Sequence, residues 1–475
     1  MPSTRVHAVS DDALGDHDAV DLAALVRSRE VSPGELAAAA VARARRVEPA
    51  LNALVLERFD EAIATAESLP EGPFRGVPTF IKDMSDLTGY PTRWGSDALA
   101  GAGPADHDAP EVAQLLAMGT NVLGKTTMPD FGIICSAEYP DGPPTRNPWN
   151  TGHTPGGSSS GAAAMVAAGV VPLAHAADGG GSIRIPAAAC GLVGLKPTRG
   201  RIAEDVTGKV LPVRVTSHGV VTRTVRDSWA YLAAAEQQFR PRSLQPIGPI
   251  GAPLSSTLRI GYITDTSNGA AIDAATRRVQ DETVALLESL GHQVEHMANP
   301  ISASLADDFI LYYGFLALMI ATGGRKLFDP SFDRSALTPV VRGFGDHCRQ
   351  NLAKLPGAIR RLRRSTAEAS ALFVRNDVLV TPTVGQVPPL IGHFDTALPY
   401  DELLPRVAEW ACFTPWNNVT GHPAVSLPMG HDEVTGLPIG MMFHADGGRE
   451  RLLLELAAQL EQAQPFRRID AVPTG

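Results

Sequence analysis

Residues 156–200 constrain this chain more than any other stretch. They read GGSSSGAAAMVAAGVVPLAHAADGGGSIRIPAAACGLVGLKPTRG. Two glycine-rich turns that carry serine, Gly156–Gly161 and Gly179–Ser182, are joined by a run of small apolar residues. Glycine lacks the Cβ that blocks unusual backbone angles, so N–H groups in such a turn can point at a bound group. A serine nucleophile needs amides of this kind beside it, to hold the oxyanion that its attack creates. The pattern points to a serine hydrolase of an uncommon kind.

Histidine is the usual base for such a serine. The thirteen histidines are scattered, and none stands in an H-E-x-x-H spacing. The segment GVPTFIKD offers another base, because Lys82 ends an apolar, strand-like run. Ser–Lys pairs are a known variant of the nucleophile–base arrangement. A free lysine titrates near 10.4, so roughly 0.04% is neutral at pH 7. Desolvation must therefore bring Lys82 down close to neutrality, at a cost of roughly 4 kcal/mol. Asp83 would oppose that if it pointed inward.

GVPTFIKD, TRNPWN, TPGGSSSG, ADGGGSIRIPA and CGLVGLKPT, in that order and spacing, resemble the amidase signature family from about residue 20 to 465. The resemblance implies that Lys82 is the catalytic lysine and that Ser158, preceded by a cis peptide bond, relays protons. It makes Ser182 the nucleophile and the amides of Gly179, Gly180, Gly181 and Ser182 the oxyanion hole. Asp178 and Arg184 then support the turn through hydrogen bonds. Lys82 would draw a proton from Ser158 and Ser158 from Ser182, and the relay would return one to the leaving nitrogen. One departure stands out: most members place Gly-Thr before the aspartate, where this chain has Ala176 and Ala177. The His175 run and RIPAAACGLVGLKPTRGRI look most like the subgroup that opens nylon-type cyclic amides and cleaves urethanes. His175 itself reads better as a hydrogen-bonded structural histidine than as a substrate contact.

The resemblance implies a single α/β/α sandwich, residues 1–475, around a mixed, largely parallel twisted sheet. Its parts would be N-terminal helices at about 18–50, a signature core at about 70–235, a variable funnel-lining region at about 300–365, and a C-terminal sheet and helix at about 370–465. Local signals agree with an α/β layer fold. Residues 20–47 read as two helices, the second opening on the capping box Ser32-Pro33-Gly34-Glu35. A βαβ unit is expected from Leu258–Ile263, a helix from about Ala271 to Leu290, and Gln293–His296. Asp377–Pro382 and Ala424–Leu427 look like buried strands, and Glu450–Gln462 like a closing amphipathic helix. The Pro- and Gly-rich run 236–256 fits either a domain linker or a long surface loop. Residues 303–365 fit either a packed helix with a solvated basic face or helices over a substrate funnel.

Two short motifs compete. Gly119–Thr126 satisfies G-x-x-x-x-G-K-[ST], but a phosphate loop needs a strand before it and a helix after it. Here a helical run precedes and Val122-Leu123 look like a strand inside the motif. Gly157–Gly161 satisfies G-x-S-x-G with Ser159 central, yet that elbow follows a strand, and TRNPWNTGHTP is loop. For Ser182 the bland alternative is a helix cap, with Pro186 in the first turn.

Composition sets the remaining bounds. The chain has 475 residues, 44% hydrophobic and 19% charged, with net charge −10. That balance speaks against nucleic acid and anionic membrane as partners. Cys135, Cys190, Cys348 and Cys412 are far apart and suit a reducing compartment. The first residues have no hydrophobic core, and no apolar stretch is expected to reach the roughly 20 residues that span a bilayer. A cytoplasmic enzyme without cofactor or metal is expected, with a small amide or carbamate as partner and a homodimer allowed. Its acyl group should be uncharged and apolar, because Phe309, Ile310, Leu311, Tyr312, Tyr313, Phe315 and Leu316 stand in the funnel region. The rival class is the glutaminase-type subunit of an ammonia-transferring amidotransferase, with a nucleotide-binding protein behind it.

Overall fold

The computed structural model describes residues 4–204 and 211–471. Strands β1 (Leu54–Glu57), β2 (Pro78–Lys82) and β3 (Asn121–Thr126) form a small sheet in the order β1-β3-β2. The large sheet contains β4 (Leu173–Asp178), β5 (Val193–Lys196), β6 (Ser217–Thr222), β7 (Arg259–Tyr262), β8 (Gln293–His296), β9 (Val378–Pro382), β10 (Ala424–His431) and β11 (Pro438–His444). Its order is β4-β6-β5-β10-β11-β9-β7-β8.

The α/β class and the mixed sheet are as expected, but the sheet is not largely parallel. Every neighbouring pair from β4 to β9 is antiparallel, and only β9-β7 and β7-β8 run parallel. The parallel β7-β8 pair is the βαβ unit read from sequence, with helix Ala274–Ser289 as its crossover, and β9 extends it in parallel on the other side of β7. β6 and β11, which take part in four of those five antiparallel pairs, carry no strong local signal.

The central strands are buried on both faces, and their side chains alternate as period-two geometry requires. Val193, Leu195, Val425, Leu427, Met441 and Phe443 join the principal core, together with Trp229 and Leu453 from helices Val225–Gln238 and Glu450–Ala463. Helix Arg184–Cys190 lies on the other face. A Cβ on Gly194 would come within 2.5 Å of Ala187 Cβ, and one on Gly440 within 2.6 Å of Ala188 Cβ. Those glycines let the helix, and the turn that precedes it, sit hard against the sheet.

The N-terminal helices are Ala19–Ser28 and Pro33–Leu51. The capping box is complete, with Ser32 Oγ accepting from the Glu35 N–H and Glu35 accepting from the Ser32 N–H. Helix Ala303–Leu327 departs from the reading of apolar runs, being long and apolar enough by length and composition to cross a bilayer. It packs here against helices Pro339–Gln350 and Leu355–Leu372, and Asp308 on it pairs with Arg361. All four cysteines are free.

Candidate active site

Lys82 ends β2, a strand whose five residues are all buried, so its ammonium carbon chain never reaches solvent. Nζ donates to Ser158 Oγ at 2.7 Å and to the Ala177 carbonyl at 3.4 Å. Burial brings its pKa down to about 7, against an opposing pull from the Asp178 charge. Asp83 does not oppose that shift, because its carboxylate turns to Lys125 Nζ at 3.4 Å and to the Arg93 N–H at 3.2 Å. The Gly157–Ser158 peptide is cis. Ala177, one of the two alanines that depart from the family pattern, serves through its backbone: its carbonyl meets both Lys82 Nζ and Ser159 Oγ.

Ser182 stands just past β4, at the end of the second glycine turn, and is 7% exposed. It is not a helix cap. Ile183 occupies the cap position of helix Arg184–Cys190, and no side chain caps that helix. Asp178 organises the turn instead. Its Oδ1 accepts from the Gly181 N–H at 2.7 Å, and its Oδ2 accepts from the Ile183 N–H at 3.2 Å. Arg184 Nε donates to Asp178 Oδ2 at 2.8 Å, both side chains being fully buried. Burial alone would raise the Asp178 carboxyl, but the Arg184 charge and hydrogen bonds outweigh it and hold the group well below the usual carboxylate range.

The Gly181 amide is therefore engaged by Asp178. Among the four amides expected to bind an oxyanion, those of Gly179, Gly180 and Ser182 have no protein acceptor among the described residues. The Gly180 carbonyl accepts from Thr414 Oγ1 at 2.6 Å. Asn418 Nδ2 donates to the Asp178 carbonyl and to Asp178 Oδ1, each at 2.8 Å, and Arg184 Nη2 donates to Asn418 Oδ1 at 2.7 Å. Asn417 Oδ1 accepts from Arg184 Nη1 and from His444 Nδ1. Thr414, Asn417 and Asn418 were not legible in the sequence, since TPWNNVT carries no recognisable motif.

A cavity opens over Ser182 and Gly180. Its wall is formed by Gly132–Cys135, by Leu305, Phe309, Ile310 and Tyr313, by Phe344, and by Leu404, Val407, Ala411, Phe413 and Trp416. No charged side chain is among its described lining residues. Of the seven funnel residues expected, Phe309, Ile310 and Tyr313 face it. Tyr312 instead donates to the Val213 carbonyl at 2.7 Å, and Leu311 packs with Cys348 and Leu355. A helix presents only every third or fourth residue to one side.

The competing motifs resolve into structure. Lys125 lies in β3 with Nζ donating to the Pro91 carbonyl at 2.8 Å and Thr92 Oγ1 at 2.6 Å, so Gly119–Thr126 is a helix–strand junction and not a phosphate loop. Ser159 is fully buried and donates to the Ala177 carbonyl at 3.3 Å, away from the cavity wall. His175 is structural. Its Nδ1 accepts from the Lys82 N–H at 3.3 Å, and its ring stacks on His218 at 5.5 Å.

His175, His218 and Glu111 are close enough in ligand atoms to hold a cation. The tautomer argues against it. A neutral His175 that accepts at Nδ1 carries its proton on Nε2, the atom that faces His218 Nδ1 at 3.3 Å. That Nε2 then has no lone pair for a metal.

A buried Lys82–Ser158 hydrogen bond and a glycine turn that borders a cavity thus meet in this mixed α/β fold. The Amidase family profile matches residues 35–454, and the chain belongs to that family. A Mycobacterium tuberculosis protein named "Putative amidase AmiC" is 47% identical over 472 residues, covering 98% of this chain and 99% of that one. The solved structure of 6-aminohexanoate cyclic dimer hydrolase superposes with a TM-score of 0.83 at 33% identity, over 97% of this chain and 99% of the other. A bacterial aryl acylamidase of the amidase signature enzymes has a TM-score of 0.83 at 26% identity, over 95% and 96%. This chain is an amidohydrolase.

Proposed function

We propose that the chain cleaves amides with uncharged, apolar acyl or aryl groups through an acyl-enzyme on Ser182, and that carbamates react by the same steps. The observation that carries the substrate class is the wall of the cavity over Ser182, which has no charged side chain among its described residues. A glutaminase site needs fixed charges for the substrate's α-carboxylate and α-amine. Burial of an apolar group against Phe309, Ile310 and Phe344 supplies binding energy by removing area from water, at about 25 cal/mol per Å².

In the proposed cycle neutral Lys82 takes a proton from Ser158, and Ser158 takes one from Ser182 as Ser182 Oγ attacks the carbonyl carbon. The C–O bond forms and the carbonyl π pair moves to oxygen, facing the free amides of Gly179, Gly180 and Ser182. The relay then hands the proton to the leaving nitrogen as the C–N bond breaks. Water repeats the sequence on the acyl-enzyme. A carbamate would give a carbamoyl- or alkoxycarbonyl-enzyme, with carbon dioxide lost after its hydrolysis. Lys82 suits this work because its pKa of about 7 leaves it able to both accept and return a proton near neutrality.

The deciding experiment compares 4-nitroacetanilide, an aryl carbamate and glutamine with the purified chain alone. The anilide or carbamate should show much the higher kcat/KM, with no partner protein or nucleotide present. Glutamine turnover equal to either would move the chain to the amidotransferase class. Ser182→Ala and Ser158→Ala should abolish or nearly abolish turnover, while Ser159→Ala keeps far more. The reverse order of Ser159 and Ser182 would overturn the assignment of the nucleophile.

A further inference from the structure

Tyr313 lines the cavity together with Gly180 and Ser182. A Cβ built on Gly179 would meet Tyr313 Oη at 3.0 Å, and one built on Gly180 would meet it at 2.9 Å. The hydroxyl therefore lies against two of the three residues whose amides have no protein acceptor among the described residues. The ring is held by Phe309, with centroids 4.5 Å apart, and by Phe344 at 6.4 Å. Oη makes no hydrogen bond within the protein among the described residues. Burial raises the phenol pKa, so the group stays a neutral donor across the working pH range.

A phenylalanine would serve an apolar wall equally well, and a phenol there without a partner is a polar group awaiting one. The Gly181 N–H is taken by Asp178 at 2.7 Å, so it is not among the donors left at the turn. We propose that Tyr313 Oη donates a hydrogen bond to the substrate's carbonyl oxygen at the Gly179–Gly180 turn, adding a side-chain donor to the backbone amides that hold the oxyanion. The ligand class is a neutral acyl compound, and the assignment rests on the Ser182 acyl-enzyme reading. In a cavity lined by apolar side chains such a bond strengthens as charge develops on the oxygen, so its effect falls on the transition state more than on the ground state.

The test is Tyr313→Phe, which keeps the ring and its packing. Its kcat on 4-nitroacetanilide should fall about 10- to 100-fold with KM nearly unchanged. Phenylboronic acid, whose boron takes Ser182 Oγ as a fourth ligand and places an oxygen in the turn, should bind more weakly by a similar factor. A variant within twofold of wild type in both measurements overturns the proposal. So does a fall in kcat without weaker boronate binding, which would assign the hydroxyl a structural role. The complex of wild-type enzyme with phenylboronic acid gives a second reading that needs no variant. Oη within hydrogen-bond reach of a boronate oxygen supports the proposal, and Oη turned away from it refutes it. Wild-type enzyme that binds the boronate but leaves the anilide and the carbamate intact would sink the substrate class, while the boronate measurements would still decide on Tyr313.

Discussion

Thr414 Oγ1 donates to the Gly180 carbonyl at 2.6 Å, and the N–H of the same peptide, on Gly181, donates to Asp178 Oδ1 at 2.7 Å. One peptide unit is thus held at both ends. Its neighbours on either side, ending in the Gly180 and Ser182 amides, inherit a fixed direction. Gly181 has φ +135°, and a Cβ there would fall inside contact distance of Thr414 Oγ1. Only glycine lets the threonine come so close.

Thr414→Val removes the hydrogen bond and nearly keeps the volume. Freed at its carbonyl, the peptide can rotate and misdirect the adjacent amides. We expect kcat to fall about 10- to 100-fold with little change in KM, the pattern of an interaction that matters in the transition state. Steady-state kinetics on an anilide checks it, and unchanged kcat would mean that Asp178 alone suffices to hold the turn.

The pH dependence follows from Lys82. Its folded-state pKa of about 7 lies below the value near 10.4 of an unfolded lysine. As the proposed base Lys82 must be neutral, so kcat/KM should rise with pH through a single ionisation near 7 and then level off. The stability effect has the same sign. Between pH 7 and about 10.4 the unfolded chain binds more protons at this residue, so stability from Lys82 rises with pH across that window and is lowest below it. Lys82→Met should cost several orders of magnitude in kcat/KM yet flatten this part of the stability profile. A kcat/KM profile independent of pH from 5 to 9 would remove Lys82 as the base.

Asp178 and Arg184 form an ion pair with no exposure on either side. Removing one partner leaves the other charged in a buried site, which costs about 3–5 kcal/mol. Arg184→Leu should therefore lower the melting temperature clearly, and activity should be lost even at temperatures where the variant stays folded. Asn417 and Asn418 share the guanidinium, so Asn418→Ala should show a smaller effect in the same direction, measured by thermal unfolding and residual turnover. Arg184→Leu with wild-type stability would mean that Asp178 is held by its backbone donors alone.

The site divides into a part written locally and a part that only packing assembles. Lys82 was legible because an apolar run before a lysine is a local pattern, and the two glycine turns are local as well. Thr414, Asn417 and Asn418 act more than 230 positions away from Gly180 and Asp178. Their own segment is an ordinary short helix, Pro415–Thr420. Sheet direction was misread for a related reason. The βαβ unit announces its parallel strands, whereas the pairing of β5, β10 and β11 depends on which distant strand each meets, a choice that side-chain alternation does not encode. Tyr312 and Tyr313 show the limit at single-residue scale: neighbours in an apolar helix look alike in sequence, yet one bonds Val213 and the other faces the cavity.

The last prediction concerns metal. Glu111, His175 and His218 are buried or nearly so, and Glu111 Oε2 has no hydrogen-bond partner. On distance alone the trio would pass for a zinc site. The Lys82 N–H on His175 Nδ1 puts the His175 proton on Nε2, and this closes the ring to a cation unless that hydrogen bond is given up. Loss of that bond would also release the backbone of Lys82, the proposed base. Prolonged treatment with EDTA or 1,10-phenanthroline should leave kcat/KM within about twofold, and elemental analysis of the purified protein should find metal far below one per chain. His175→Phe, which keeps ring volume and loses the acceptor, should lower kcat by releasing the Lys82 backbone, and added zinc should not restore it. Stoichiometric metal together with chelator-sensitive activity would reverse the tautomer argument and make Glu111, His175 and His218 ligands.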